Sequence, residues 1–159
     1  MDIETLQTFT LFSGLSPRAL NGLTGIFTHK KAQNGEKIIN QNSLSDGVYL
    51  LLKGSVRILR ETKTGALVPI HEVQPGGLFG TLSTLDGGNR GAHCVARGDI
   101  EYGFLKKDDF MELIRSKSAL GLGFQVAVIR AVFRDIRRTN EQLAELSSLE
   151  PIEDLTPLS

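Results

Sequence analysis

Residues 75–96 read PGGLFGTLSTLDGGNRGAHCVA. Gly76, Gly77 and Gly80 free the backbone for close approach to another group. Leu82 and Leu85 suggest a short helix beginning at Gly80, whose first amides lack intrahelical partners and converge on one spot suited to an anion. Arg90 follows just beyond Gly87-Gly88-Asn89, and its planar fork of donors can hold two phosphate oxygens at once. Gly91 and Ala92 are small, so their amides can face the same anion. The same features also fit a glycine-rich hairpin that happens to carry an exposed arginine.

The flanking sequence has β texture. Turn signals recur at Asn34-Gly35, Asp46-Gly47, Lys53-Gly54, Thr64-Gly65, Pro75-Gly76-Gly77 and Gly87-Gly88. Between them lie short apolar or β-branched runs at 37–39, 48–52, 55–59, 67–70 and 93–96, the pattern of a sandwich or barrel. Val56 and Ile58 alternate with Ser55 and Arg57, as in a half-buried strand.

Helix is expected on both sides. Leu6, Phe9, Phe12 and Leu15 recur at helical spacing, and Ser16-Pro17 reads as the cap and first turn of a second short helix. Asp108 and Asp109 open another, where acidic charge suits the helix dipole. A long helix over 119–146 carries Leu122, Val126, Ile129, Phe133, Ile136, Leu143 and Leu146 in alternating steps of three and four. Val126, Ile129, Phe133, Ile136 and Leu143 are read as a coiled-coil seam that joins two copies. Arg130, Arg134, Arg137 and Arg138 form a basic stripe beside it, either solvated or facing an acidic partner. The expected organisation is N-terminal helices over 1–24, a β unit over 25–106 with its anion cassette at 76–96, helices over 107–147, and a flexible tail over 148–159.

Composition narrows the function. The 159 residues are 40% hydrophobic, enough for one domain with a real core. Lys+Arg and Asp+Glu number 18 each, which argues against a nucleic-acid binder with a basic excess. A single cysteine, Cys94, excludes an internal disulfide or a multi-cysteine metal cage and makes the reducing cytoplasm the expected compartment. No secretory leader is evident, and the longest apolar runs fall far short of the roughly 20 residues needed to span a bilayer. No catalytic signature appears, so no catalytic residues are assigned, and no metal site. His71, His93 and Cys94 raise the thought of a haem ligand set, but His93 and Cys94 are strand neighbours that point to opposite faces.

The string FG-x-L-(x)7-R-x-A, at Phe79 to Ala92, resembles the phosphate-binding cassette of the cyclic-nucleotide-binding domain family. The similarity covers about residues 10–146. It takes in Leu11-Phe12, Gly35-Glu36-x-Ile38 and the stretch from Asp46 to Val56. It implies a mainly β fold with flanking helices: an eight-stranded, jelly-roll-like β-roll (a double-stranded β-helix) closed by a long C-terminal helix. By position, Arg90 would pair with the cyclic phosphate. Phe79, Gly80, Thr81, Leu82, Ser83, Gly91, Ala92 and His93 would surround phosphate and ribose. Thr139 and Asn140 would reach the base, one of them from a partner subunit in some arrangements, and Val56, Ile58 and Leu67 would form the apolar wall.

Two positions depart from the family pattern. Thr81 stands where a glutamate usually accepts the ribose 2′-hydroxyl proton, and His93 stands where a small hydroxyl-bearing residue is usual. The resemblance implies a sensor of cAMP, less readily cGMP, with no other cofactor. It would be a cytoplasmic homodimer that acts on a protein effector, without DNA or membrane contact, since only about a dozen residues follow Leu146. The departures leave open a domain that has lost its nucleotide and serves as an interaction scaffold.

Overall fold

The computed structural model describes residues 1–147, and the expected tail at 148–159 lies outside them. Helix α1 (Ile3–Thr8), capped by the Asp2 carboxylate, leads through a 3-10 turn (Thr10–Phe12) to α2 (Pro17–Ile26), capped by the Ser16 hydroxyl. The β unit comprises β1 (Thr28–Ala32), β2 (Lys37–Ile39), β3 (Gly47–Glu61), β4 (Leu67–Val73), β5 (Leu78–Phe79) and β6 (His93–Lys106), with α3 (Thr81–Asp86) inserted before β6. Helices α4 (Lys107–Arg115) and α5 (Ala119–Ser147) complete the described chain. Among the described residues no helix is long and apolar enough to cross a membrane.

All pairings are antiparallel, in the order β1-β6-β3-β4, with β2 also on β6 and β5 on β3. Six strands stand where the resemblance implied eight. The runs at 48–52 and 55–59 are one strand: Lys53-Gly54 is not a turn but an irregularity in the β3/β6 register, which bends the strand without ending it. Likewise β6 continues from His93 through Gly98 to Lys106, well beyond the expected 93–96.

The first residues of β3, 47–51, are buried on both faces, which explains why Val48 to Leu51 is uniformly apolar rather than alternating. Val48 and Leu50 face a core shared with the helices, among them Leu6, Phe12, Leu23, Phe110 and Phe124. Tyr49 and Leu51 face the interior of the roll, with Val56, Phe79, Cys94, Ile100 and Tyr102. Gly47 begins the strand because a Cβ there would lie 2.1 Å from the Leu105 carbonyl oxygen.

Helix α5 is fastened to the rest of the fold by polar side chains along its length. Gln125 donates to the carbonyls of Ile114 and Ser116. Arg130 donates to the carbonyls of Leu11 (3.1 Å) and Ser13 (2.6 Å), and Arg134 to Thr10 Oγ1. Further on, Gln142 Nε2 donates to the Ile70 carbonyl at 3.0 Å. Two members of the expected basic stripe are therefore internal clamps, not a free surface.

Candidate functional site

A cavity of about 340 Å³ opens between α3, the start of β6, β4 and α5, within the size range of small-molecule sites. One end is formed by Phe79, Gly80, Thr81, Leu82, Ser83, Arg90, Gly91 and Ala92, which the sequence placed together. Ile58 also lines the cavity.

The cassette is built around Arg90. Its Nη1 donates to the Gly80 carbonyl (2.6 Å) and to Ser83 Oγ (2.9 Å); its Nη2 donates to Asp46 Oδ1 and to the Gly47 carbonyl, both at 2.7 Å. The guanidinium also lies 5.7 Å from the centre of the Tyr49 ring, which stacks on Phe79. Burial, followed by the hydrogen bond to Asp46, pushes the Tyr49 phenol well above its ordinary pKa, so the hydroxyl stays a donor to that carboxylate. Gly80 has φ +74° and no room for a side chain, since a Cβ would approach Arg90 Nη1 to 2.7 Å.

Helix α3 turns a polar face inward. Leu82, read as part of its apolar side, is exposed at the cavity rim, while Leu85 packs on the helical core. Thr81, Ser83 and Thr84 are the buried residues. Thr84 Oγ1 donates within reach of the Gly80 (2.7 Å) and Gly47 (2.9 Å) carbonyls. The Thr84 hydroxyl ties the cassette to β3 and the Ser83 hydroxyl accepts from Arg90, work that leucines could not do.

Five expected contacts fall elsewhere. His93 is turned away: its Nδ1 accepts from the Gln41 amide at 3.1 Å and its Nε2 lies 3.4 Å from Glu61 Oε2. Strand alternation brings its neighbours Ala92 and Cys94 to the cavity instead. Val56 is wholly buried in the roll core and does not line the cavity. Leu67, at the outer end of β4, is 54% exposed. Thr139 and Asn140 are exposed on α5, and the Thr139 hydroxyl donates to the Asp135 carbonyl. In their place Asp135 and Arg138, an ion pair at 2.9 Å, line the cavity with Ile70 and His71. Burial, then Arg138, holds the His71 imidazole below its ordinary pKa. A helical step of one turn back from Thr139 would have found Asp135; the period-two step from Ala92 would have found Cys94.

Burial pushes the Cys94 thiol up to about 12, so it is a neutral apolar wall rather than a nucleophile or metal ligand. With His93 and Cys94 on opposite sides of β6, they form no shared ligand set for a haem iron.

The Cyclic nucleotide-binding domain model matches residues 29–117. The chain belongs to the cyclic-nucleotide-binding domain family. A relative, the Cyclic AMP receptor protein of Thermus thermophilus, is 35% identical over 105 residues, 66% of this chain and 49% of that protein. The chain thus spans about half the length of that curated relative. Among solved structures, the Thermus thermophilus Catabolite Activator Protein superposes with a TM-score of 0.71 at 31% identity, over 86% of this chain and 62% of its own. A cyclic nucleotide-binding domain from Methylobacillus flagellatus shares the fold with a TM-score of 0.79 at 20% identity, over 96% and 84% of the two chains.

Proposed function

We propose that this cyclic-nucleotide-binding domain is a sensor, with cAMP as its first ligand and cGMP as the less favoured one. The observation that carries the reading is the 340 Å³ cavity lined by Arg90, Gly80, Gly91 and Ala92 together with apolar side chains such as Ile39, Ile58 and Ile70. A cyclic nucleotide has this polarity: a phosphate at one end and a flat, largely apolar base at the other. The preference for cAMP rests on the name of the Thermus thermophilus relative.

The ligand would bridge the cassette and α5, both of which line the cavity. Its phosphate meets the cassette, and its base meets Asp135 and Arg138 on α5. Binding then favours whichever position of α5 gives the better fit, and the shift is limited by the difference in affinity between positions. The exposed seam Val126, Ile129, Phe133, Ile136 and Leu143 supports a homodimer in which α5 carries the change to a protein effector in the cytoplasm. The domain would do this without catalysis and without touching DNA or membrane itself.

A second reading, a scaffold that no longer takes nucleotide, draws on one observation: both terminal nitrogens of Arg90 are already hydrogen-bonded within the protein. Titration calorimetry with cAMP and cGMP decides. Heat that saturates with either nucleotide, lost in R90A, supports the sensor. No heat at millimolar ligand leaves the scaffold.

A further inference from the structure

Residues 40–43 follow β2 and cross the main chain of Arg90. The Asn42 N–H donates to the Arg90 carbonyl at 2.7 Å, and the Arg90 N–H donates to the Ser43 carbonyl at 2.9 Å. The segment is a strap that fixes where the cassette arginine starts. Asn42 has φ +66°, and among the described residues it is the non-glycine with a positive φ. Such a backbone persists only where surrounding contacts hold it.

On its other side the strap is held by His93, the buried histidine that the nucleotide cavity does not use. The Gln41 N–H donates to His93 Nδ1 at 3.1 Å. Nδ1 is therefore the acceptor, and the ring proton sits on Nε2, 3.4 Å from Glu61 Oε2. The Gln41 side chain is clipped to the same residue: its Nε2 donates to the Glu61 carbonyl and its Oε1 accepts from the Glu61 N–H.

We propose that His93 is an acid-sensitive latch on this strap, through which a proton on Nδ1 loosens Arg90 and weakens anion binding in the cassette. The weakening of nucleotide rests on the cyclic-nucleotide reading above; the latch does not. Protonation turns the acceptor of the Gln41 amide into a second donor, and two N–H groups facing each other repel. Glu61 on β3, half exposed, is the carboxylate that receives the imidazolium and draws the ring from Gln41. Arg60 and Lys63 share a groove with Glu61 and Gln41 and oppose the uptake of charge. Lys37 on β2 lies opposite Val95 and is exposed, and the Arg90 guanidinium is turned to Gly80 and Asp46. Histidine ordinarily titrates between about pH 5 and 8. A ligand that needs the closed strap binds the unprotonated form better, so affinity falls as pH falls, and by linkage binding expels the proton.

The test follows the ligand-free full chain by NMR, and its cAMP affinity by calorimetry, from about pH 7.5 to about pH 5.5 in the parent and in H93N. Asparagine keeps an acceptor near the Nδ1 position and does not titrate. His71 titrates in both proteins, so whatever H93N removes belongs to His93. In the parent the Gln41, Asn42 and Arg90 amide resonances should follow the titration of the His93 ring, and cAMP affinity should fall about fivefold or more beyond any fall in H93N. A His93 ring that titrates while the Arg90 amide stays still overturns the latch, as does a ring that stays neutral across the range, or an H93N protein with the parent's pH response. The parent spectra need no variant to fold. If cAMP binds at neither pH the sensor reading falls, and the amide shifts still decide the latch; coupled shifts with a pH-independent affinity overturn its link to the anion site.

Discussion

Arg90 Nη2 meets Asp46 Oδ1 at 2.7 Å, joining a guanidinium that is 2% exposed to a carboxylate that is 61% exposed. The pair ties the cassette to the first residues of β3, and Tyr49 fixes the carboxylate from its other side. The arrangement is asymmetric: loss of Asp46 strands a buried cation among neutral acceptors, whereas loss of Arg90 leaves a carboxylate that water can reach.

The asymmetry predicts a ranking. D46A should destabilise the ligand-free fold by about 3–5 kcal/mol, the cost of an uncompensated buried charge. R90A should cost less, about 2 kcal/mol, for lost charge-assisted bonds. Urea unfolding of both, and of the double variant, measures this; a cycle that is additive within 0.5 kcal/mol would show that the pair does nothing for stability.

Gly80 cannot accept a side chain. G80A places a methyl group 2.7 Å from Arg90 Nη1 on a backbone with φ +74°. The left-handed conformation alone costs about 1–2 kcal/mol for a residue with a Cβ. Both stability and cAMP affinity should fall, and an unchanged affinity by calorimetry would separate the cassette backbone from the binding site.

The seam on α5 separates association from folding. Ile129, Phe133 and Ile136 are 49–57% exposed in the single chain. I129D with I136D should change the stability of the protomer by only about 0.5 kcal/mol per site. It should shift sedimentation at tens of micromolar from dimer to monomer. A parent protein that sediments as a monomer at that concentration would contradict the seam. F124A, in the helical core, should instead cost about 3–5 kcal/mol.

His71 gives the fold a dependence on acid. Its pKa is lowered by burial and by Arg138, with Asp135 and Glu72 pulling the other way. The unfolded chain therefore takes up the proton first, and stability is lost as pH falls from about 6.5, the value of free histidine, through the lower folded value. H71Q should flatten the change in urea midpoint between neutral pH and pH 5.

Cys94 should be silent toward thiol reagents at pH 8 in the folded protein, because its pKa is pushed up to about 12 by burial and the side chain lines a wall. Reaction should begin only with unfolding. Fast labelling of the native protein, slowed by nucleotide, would instead show that the cavity opens to admit the reagent.

How far the sequence could be read depended on which physical signal each element carries. The extent of helix α5 was legible because apolar residues at steps of three and four have a helical period, but the face that packs on the core carries Phe124, Ala127, Val128 and Ala131 and not that stripe. The cassette was legible because glycines and an arginine in that order have few other uses. Strand β1 was not: THKKA buries only Ala32, so it has no alternation, and pairing with β6 makes it a strand. The length of β3 and β6 was hidden because a glycine inside a bulge looks like a glycine in a turn. Thr139 and Asn140 lie off the cavity of their own chain for another reason. Alignment along a helix gives height but not rotation, and each residue advances the side chain by about 100°. His93 failed by strand phase, since one step along β6 exchanges the two faces.

The run Val48 to Leu51 is a partition with a tenant on either side. Most strands tolerate swaps of polar residues on their wet face, and this stretch of β3 has no wet face. Surveys of variants should find these four positions nearly immutable, while the hairpin between β3 and β4 accepts almost anything. A polar replacement at any of the four would strand an unpaired group in one core or the other.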